Sequence, residues 1–431
     1  MSSSIILAAV PVHGHVTPLL AVARHFHARG DHVRFLTGAR FADAVAATGA
    51  THVPLPEDAD YDDRVNLAER FPERVRLSGP KAVVFDIEHV FVQPAQSQHD
   101  ALMALHAAEP AAVVLTDPMF LGGALLLGHP REARPAVGVC GVIPLPMASP
   151  DVAPFGVGLP PARLLNRTRN RALTAITQAG FRGVDGIASD MNRELHGVPL
   201  GYPILDWCRR AEAVAQFTVA DFEYPRSDAP DTLHFVGPVS ATGFRAPRPT
   251  WWEDLDRGHP IVHVTQGTIA NKDFSQLVAP TLEALAHDDV LVVVSTGGRP
   301  LETLPELPDN ARAAEYLDYE ELLPRTDVFV TNGGYGGVNY ALRFGVPIVA
   351  SGGKEDKPEV GARVKWSGVG QRIRTDTPSP RALGKAIRKV LHDPRHRDAS
   401  RRIANAMAAA PGLDGLTEII ERLSRTEARA R

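Results

Sequence analysis

The sequence predicts an α/β protein made of two doubly wound parallel sheets that face each other across a cleft. Three observations carry this. At 431 residues the chain exceeds what one hydrophobic core usually supports. Apolar, β-type runs alternate with amphipathic stretches from the first residues onward, the pattern of parallel strands with covering helices. That alternation is interrupted by the proline-punctuated segment 221–250 and then restarts, as expected where one domain crosses to the next.

In chain order, strands are expected at Ile5–Val10, His32–Leu36, Ala112–Thr116, Ala136–Cys140 and Ala213–Val219, each a short apolar run. A helix is expected over Pro18–Ala28, and two more at 166–180 and 183–196. Residues 141–165 are proline-rich and read as a long loop, a length that in a compact domain usually signals function or disorder. Beyond the crossover, strands are predicted at Ile261–Thr265, Val290–Ser295, Ala313–Leu317, Val328–Thr331 and Val346–Ala350. Helices are predicted near 273–287, 319–323, 337–344, 357–367, 380–392 and 396–409. The expected division is residues 1–222, a linker at 223–238, and a second domain at 239–411. The last helix, about 412–431, has no locally legible partner and is left free to return to the first domain.

Composition removes several classes. Net charge is −4, 22% of residues are charged and no Lys- or Arg-rich run occurs, so a nucleic-acid surface has little electrostatic basis. Cys140 and Cys208 are the two cysteines, with no CxxC spacing, which argues against a disulfide scaffold or a thiolate zinc site. The N-terminal apolar run lacks the basic flank of a signal peptide, and no run reaches the ~18 apolar residues of a membrane helix. The expectation is a soluble, cytoplasmic protein, monomeric or weakly dimeric.

The most informative stretch is TNGGYGGVNYALRFGVPIVASGGKEDKPEVGARV at 331–364. An apolar strand runs into a glycine cluster, Gly333, Gly334, Gly336 and Gly337, flanked by Asn332 and Tyr335, and a helix opens there. Backbone N–H groups freed by such a turn, with the partial positive charge of a helix start, suit a diphosphate. Glu355 and Asp356 follow the next strand, and ionised carboxylates accept hydrogen bonds from hydroxyls. Phosphate and hydroxyl recognition within one βαβ-length unit suggests a nucleotide-sugar pocket. Gly267 and Thr268, after strand Ile261–Thr265, offer an N–H and a hydroxyl from an opposite wall. In the first half, His15 follows the first strand beside Gly14, at the sheet edge where open α/β folds gather ligands, and imidazole titrates near neutral pH. His13 reads as its structural or acceptor-lining neighbour.

Taken together, PVHGHVTPLL, VTQGTIAN, NARAAEYLDYEELLP and the block from TNGGYGG to EDK resemble the inverting UDP-glycosyltransferases of GT-B fold, particularly the bacterial branch that modifies macrolides and other natural products. The likeness spans nearly the whole chain. It implies that His15 is the general base and that Asp117, at the tip of a neighbouring strand, holds its tautomer, as the aspartate does in a Ser-His-Asp triad. It implies donor contacts from Gly14, Gly267, Thr268 and the glycine block, with Tyr316 and Leu317 standing where resembling enzymes read the nucleotide base. A hydrophobic, hydroxylated acceptor would be lined by Phe85, Met147 and Phe155. No cofactor beyond the nucleotide-sugar co-substrate and no metal is implied, since no DxD-type cluster adjoins the diphosphate loops.

The chain departs from the family's usual block at several positions. Asn332 stands where histidine is common, Gly337 where a hydroxyl residue is frequent, Tyr340 where a glutamate grips ribose, and Lys357 where glutamine follows the aspartate. Donor identity is therefore open between UDP-glucose, the family default, and a dTDP-deoxysugar. A nucleotide-sugar epimerase or hydrolase, or a non-catalytic nucleotide-sugar-binding subunit, remain the alternatives to transfer.

Overall fold

The structure is a computed structural model that describes residues 3–239, 246–269 and 271–430. Residues 240–245 of the expected crossover, and Ala270 within VTQGTIAN, lie outside the described residues.

Among the described residues thirteen strands form two sheets, and their strand pairings are all parallel. The first holds β1 (Ser4–Ala8), β2 (His32–Thr37), β3 (Thr51–Pro54), β4 (Val113–Thr116), β5 (Ala136–Gly141), β6 (Ala213–Gln216) and β7 (Leu233–Phe235), in the order β3-β2-β1-β4-β5-β6-β7. The second holds β8 (Ile261–Thr265), β9 (Leu291–Ser295), β10 (Ala311–Ala314), β11 (Val328–Thr331), β12 (Ile348–Ser351) and β13 (Gly370–Ile373), in the order β10-β9-β8-β11-β12-β13. In each sheet the order reverses beside the first strand, between β1 and β4 and between β8 and β11. Such switch points leave a crevice at the carboxyl ends of the strands, where ligands bind.

Both faces of each sheet are covered, which explains the near-continuous apolar strands. On β1, Ile6 and Ala8 enter a core with Phe120, Leu125 and Trp207, whereas Ile5 and Leu7 enter another with Val22, Phe26 and Leu416. On β8 and β9, Val262, Val264, Val292 and Val294 pack against Val278, Leu282 and Ile387. The final helix, Gly412–Ala430, lays Leu416, Ile419 and Ile420 on the first sheet's core, each side chain worth ~1.5–3 kcal/mol of burial. His25 Nε2 also meets Thr417 Oγ1 of that helix at 2.9 Å. No helix among the described residues is long and apolar enough to cross a membrane.

Several elements differ from expectation. The helices expected at 166–180 and 183–196 are one helix, Asn166–His196, because Gly180, Gly183 and Gly186 sit on open positions and the buried face of Val184, Ala188 and Asn192 continues past them. The strand expected over Ala213–Val219 stops at Gln216, and the one expected over Ala313–Leu317 lies at Ala311–Ala314. Residues 141–165 form neither helix nor strand beyond Gly141, as their prolines suggest.

Candidate active site

The helix His13–Ala28 begins five residues after β1, so Gly14 and His15 occupy its first turn at the switch point. Asp117 directly follows β4, the strand paired with β1. The register brings the two side chains together: His15 Nδ1 lies 2.8 Å from Asp117 Oδ1. Asp117 is fully buried, and its carboxylate also accepts N–H groups from Val10 at 2.8 Å and Met119 at 2.7 Å. An acceptor so fixed makes Nδ1 the protonated nitrogen and leaves the lone pair on Nε2. Burial pulls the His15 pKa down, but the charge and hydrogen bond of Asp117, with help from Asp356 and Asp63, outweigh it and hold the pKa above the ordinary imidazole value.

Sequence reasoning missed the support under this loop. His13 N–H donates to Asp63 Oδ2 at 2.7 Å, and Asp63 pairs with Arg40 at 2.6 Å. The buried hydroxyl of Tyr61 has no hydrogen-bond partner, and burial, with Asp117 and Asp63 nearby, pushes the phenol well above its usual range. The stretch DYDDR at 60–64 was the available signal, but its contact with His13 spans fifty residues of chain. His13 itself has a pKa held low, chiefly by burial.

On the facing sheet, Gly267 follows β8 and the glycine turn follows β11, its hydrogen-bonded neighbour. Gly333 takes φ +92°, a left-handed conformation that glycine adopts without steric cost, and Gly334 caps the helix Tyr335–Arg343. Asn332 braces the two loops, its Nδ2 donating to the Gln266 carbonyl at 2.6 Å. Thr268 is exposed, and Gly336 and Gly337 lie in the first turn of the helix. Tyr316, two residues past β10, is 45% exposed, and its hydroxyl lies over the loop after β9, where a Cβ on Gly298 would strike it.

Other residues singled out from the sequence have partners within the protein. The Leu317 side chain is core, packed with Trp252, Leu255 and Leu322, so any donor contact there falls to its backbone. The Tyr335 side chain is buried and its hydroxyl accepts from Gln216 Nε2 at 2.9 Å, joining the two halves instead of facing a donor. Tyr340 donates to Glu320 Oε1 at 2.7 Å. Met147 is core, with 2% exposure, because the proline-rich loop turns it inward. Phe155 is partly buried against the first sheet's core, and Phe85 stacks on His89 at 3.9 Å.

The acidic pair divides. Glu355 takes φ +56°, uncommon for a residue with a side chain, and its exposed carboxylate pairs with Lys357. Asp356 lies at the start of helix Lys357–Trp366, and burial pushes its pKa up to about 6, against the lowering effect of Lys357 and, more weakly, of His15. The charge of Asp356, on one half, helps raise the pKa of His15 on the other.

The two halves are locked at several points. Thr218 Oγ1 donates to Asn339 Oδ1 at 2.6 Å, and Lys272 Nζ donates to the Arg64 carbonyl at 2.6 Å. A buried network is centred on Arg363, which meets Glu223 at 2.8 Å and Glu359 at 2.9 Å. Glu359 in turn accepts the Gly158 N–H at 2.6 Å, and Glu223 accepts that of Leu145 at 3.0 Å. Loop 141–165 is thereby tied to the helix that carries Asp356.

Two doubly wound sheets, with a buried His-Asp pair on one and a glycine turn at a helix start on the other, define the GT-B glycosyltransferase class. Residues 279–425 match the family described as Erythromycin biosynthesis protein CIII-like, C-terminal domain. The chain is 38% identical over 427 residues to the 4'-demethylrebeccamycin synthase of Lentzea aerocolonigenes, covering 98% of this chain and 100% of that relative. It is 32% identical over 448 residues to UDP-glycosyltransferase 2 of Phaeomoniella chlamydospora, covering 97% and 95%. The crystal structure of the kitacinnamycin glycosyltransferase shares the fold, with a TM-score of 0.72 at 22% identity over 98% of this chain and 99% of that one. The chain belongs to the GT-B natural-product glycosyltransferases and is an enzyme of that kind.

Proposed function

We propose that the protein is an inverting, metal-independent glycosyltransferase that moves a sugar from a nucleotide diphosphate, UDP-glucose by default, to a hydroxyl of a hydrophobic natural product. The observation that carries this reading is the buried His15–Asp117 pair, 2.8 Å apart at the switch point of the first sheet. Nε2 of His15 takes the proton from the acceptor hydroxyl as that oxygen attacks the anomeric carbon, on the face opposite the leaving diphosphate. Asp117 stabilises the imidazolium that forms. Negative charge on the departing diphosphate is met by the first-turn N–H groups of helix Tyr335–Arg343, since the Gly333 and Gly334 N–H groups are already donated to Thr331 Oγ1 at 3.2 Å and Asn332 Oδ1 at 3.4 Å. Asp356, ionised at neutral pH, accepts hydrogen bonds from sugar hydroxyls.

The UDP preference draws support from the name of the fungal relative. A dTDP-deoxysugar is the competing donor, because Asn332 and Tyr340 are engaged within the protein and leave the usual nucleotide contacts altered. The test is incubation with pooled UDP- and dTDP-sugars and a mixed aglycone library, in excess EDTA, followed by mass spectrometry and NMR of the anomeric centre. A glycoside with configuration opposite to the donor's is expected. Retained configuration, donor consumed without glycoside, or activity abolished by EDTA and restored by Mg²⁺ would contradict the reading.

A further inference from the structure

Three histidines that this mechanism does not use converge from separate parts of the first half. His99 lies on helix Ala95–Ala108, His129 follows helix Gly122–Leu126, and His196 ends helix Asn166–His196. One ring nitrogen of each lies within 4.8 Å of the other two. His99 Nε2 and His129 Nε2 are 2.9 Å apart with nearly parallel rings, and the His196 ring stands edge-on to His129, with centroids 4.5 Å apart.

Two of the tautomers are set from outside the cluster. His99 Nδ1 is 2.8 Å from Asp100 Oδ1, so Nδ1 donates and Nε2 carries the lone pair. His196 Nε2 donates to the Leu125 carbonyl at 2.9 Å, which leaves the lone pair on Nδ1. Carboxylates and carbonyls that hold the distal N–H are how metal-ligating histidines are oriented.

We propose that His99, His129 and His196 form a binding site for one divalent transition-metal ion, separate from the chemistry of transfer. Three imidazoles without thiolate suit Zn²⁺, Co²⁺, Ni²⁺ or Cu²⁺ and not Mg²⁺ or Ca²⁺, and a water would complete a tetrahedral shell. The ion would join three elements far apart in sequence, so its effect is on stability.

The experiment uses the full untagged chain, stripped with chelator and titrated with Co²⁺ and Zn²⁺. Expected are one ion per chain, ligand-field absorption with Co²⁺, and a rise in Tm with Zn²⁺, while transfer by the stripped enzyme below its melting range is unchanged. His129→Asn should abolish the Co²⁺ signal, and His287→Asn, at an exposed histidine elsewhere, should not. If His129→Asn fails to fold, Asp100→Asn, at a carboxylate 63% exposed, keeps the test alive and should weaken binding by ~10–100-fold. Absence of stoichiometric binding, or affinity unchanged in these variants, would reduce the cluster to a hydrogen-bonded packing feature.

Discussion

At His15, burial and the Asp117 carboxylate pull the imidazole pKa in opposite directions, and the carboxylate prevails. Transfer requires neutral His15, so activity falls on the acid side as the ring takes up a proton, with a midpoint above the ordinary imidazole value. Asp117→Asn keeps an acceptor for Nδ1 but removes the charge. Burial then dominates, and the acid limb of kcat/KM moves to lower pH while turnover drops by ~10²–10⁴-fold. A pH–rate profile checks this, and an unmoved limb would remove Asp117 from the role. Asp356 makes the complementary case. Its folded pKa of about 6 exceeds its ordinary value of 3.8, so the native state binds the extra proton. Stability is therefore greatest below pH ~4 and is lost as pH rises through 6. Asp356→Asn should melt higher than the parent at pH 8 by ~1–3 kcal/mol and match it at pH 4; an equal difference at both pH values would contradict this. His15 and Asp356 were legible in the sequence because each adjoins a strand end or glycine block. Asp63 and Tyr61 were not, since only the tertiary fold brings them beneath His13.

Among the elements, helix Lys357–Trp366 carries the greatest consequence. It starts at Asp356, and its Arg363 guanidinium, 1% exposed, is shared by Glu223 of the crossover and Glu359 of its own next turn back. Removing the cation leaves buried Glu359 without its ion-pair partner and Glu223 with Arg226 alone, at 3.6 Å. Arg363→Met should cost ~3–5 kcal/mol in denaturant melts. It should also raise KM for the acceptor, because loop 141–165 is held through Leu145 and Gly158. A loss under 1 kcal/mol with unchanged KM would show that the network does not position the loop. Elements buried on both faces, such as β1, β4, β8 and β11, could be read as apolar runs. The edge strands β3 and β7 have partly exposed residues and no unbroken apolar run, and so escaped the reading. β13 is another edge strand, and its Gln371 and Arg372 hide it in the same way. The strand expected over Ala313–Leu317 was set too late because an apolar run does not say where a strand starts or stops.

Over the whole molecule, the two sheets repeat one strand order, and each places its loops at a switch point. The bonds from Gln216 and Thr218 to helix Tyr335–Arg343 set those points against each other. Alternation of strand and helix announced both sheets. The contacts that fix their mutual position lie between residues more than a hundred apart and leave no local pattern. The central claim is that one crevice joins a donor cradle from the rear half to a proton-accepting imidazole from the front half. It is tested most directly by comparing His15→Ala with the parent for nucleotide-sugar affinity, by calorimetry, and for single-turnover transfer. Donor affinity should stay within about twofold of the parent while transfer slows by ~10²–10⁴-fold. Transfer at the parental rate, or donor affinity lost together with transfer, would contradict it.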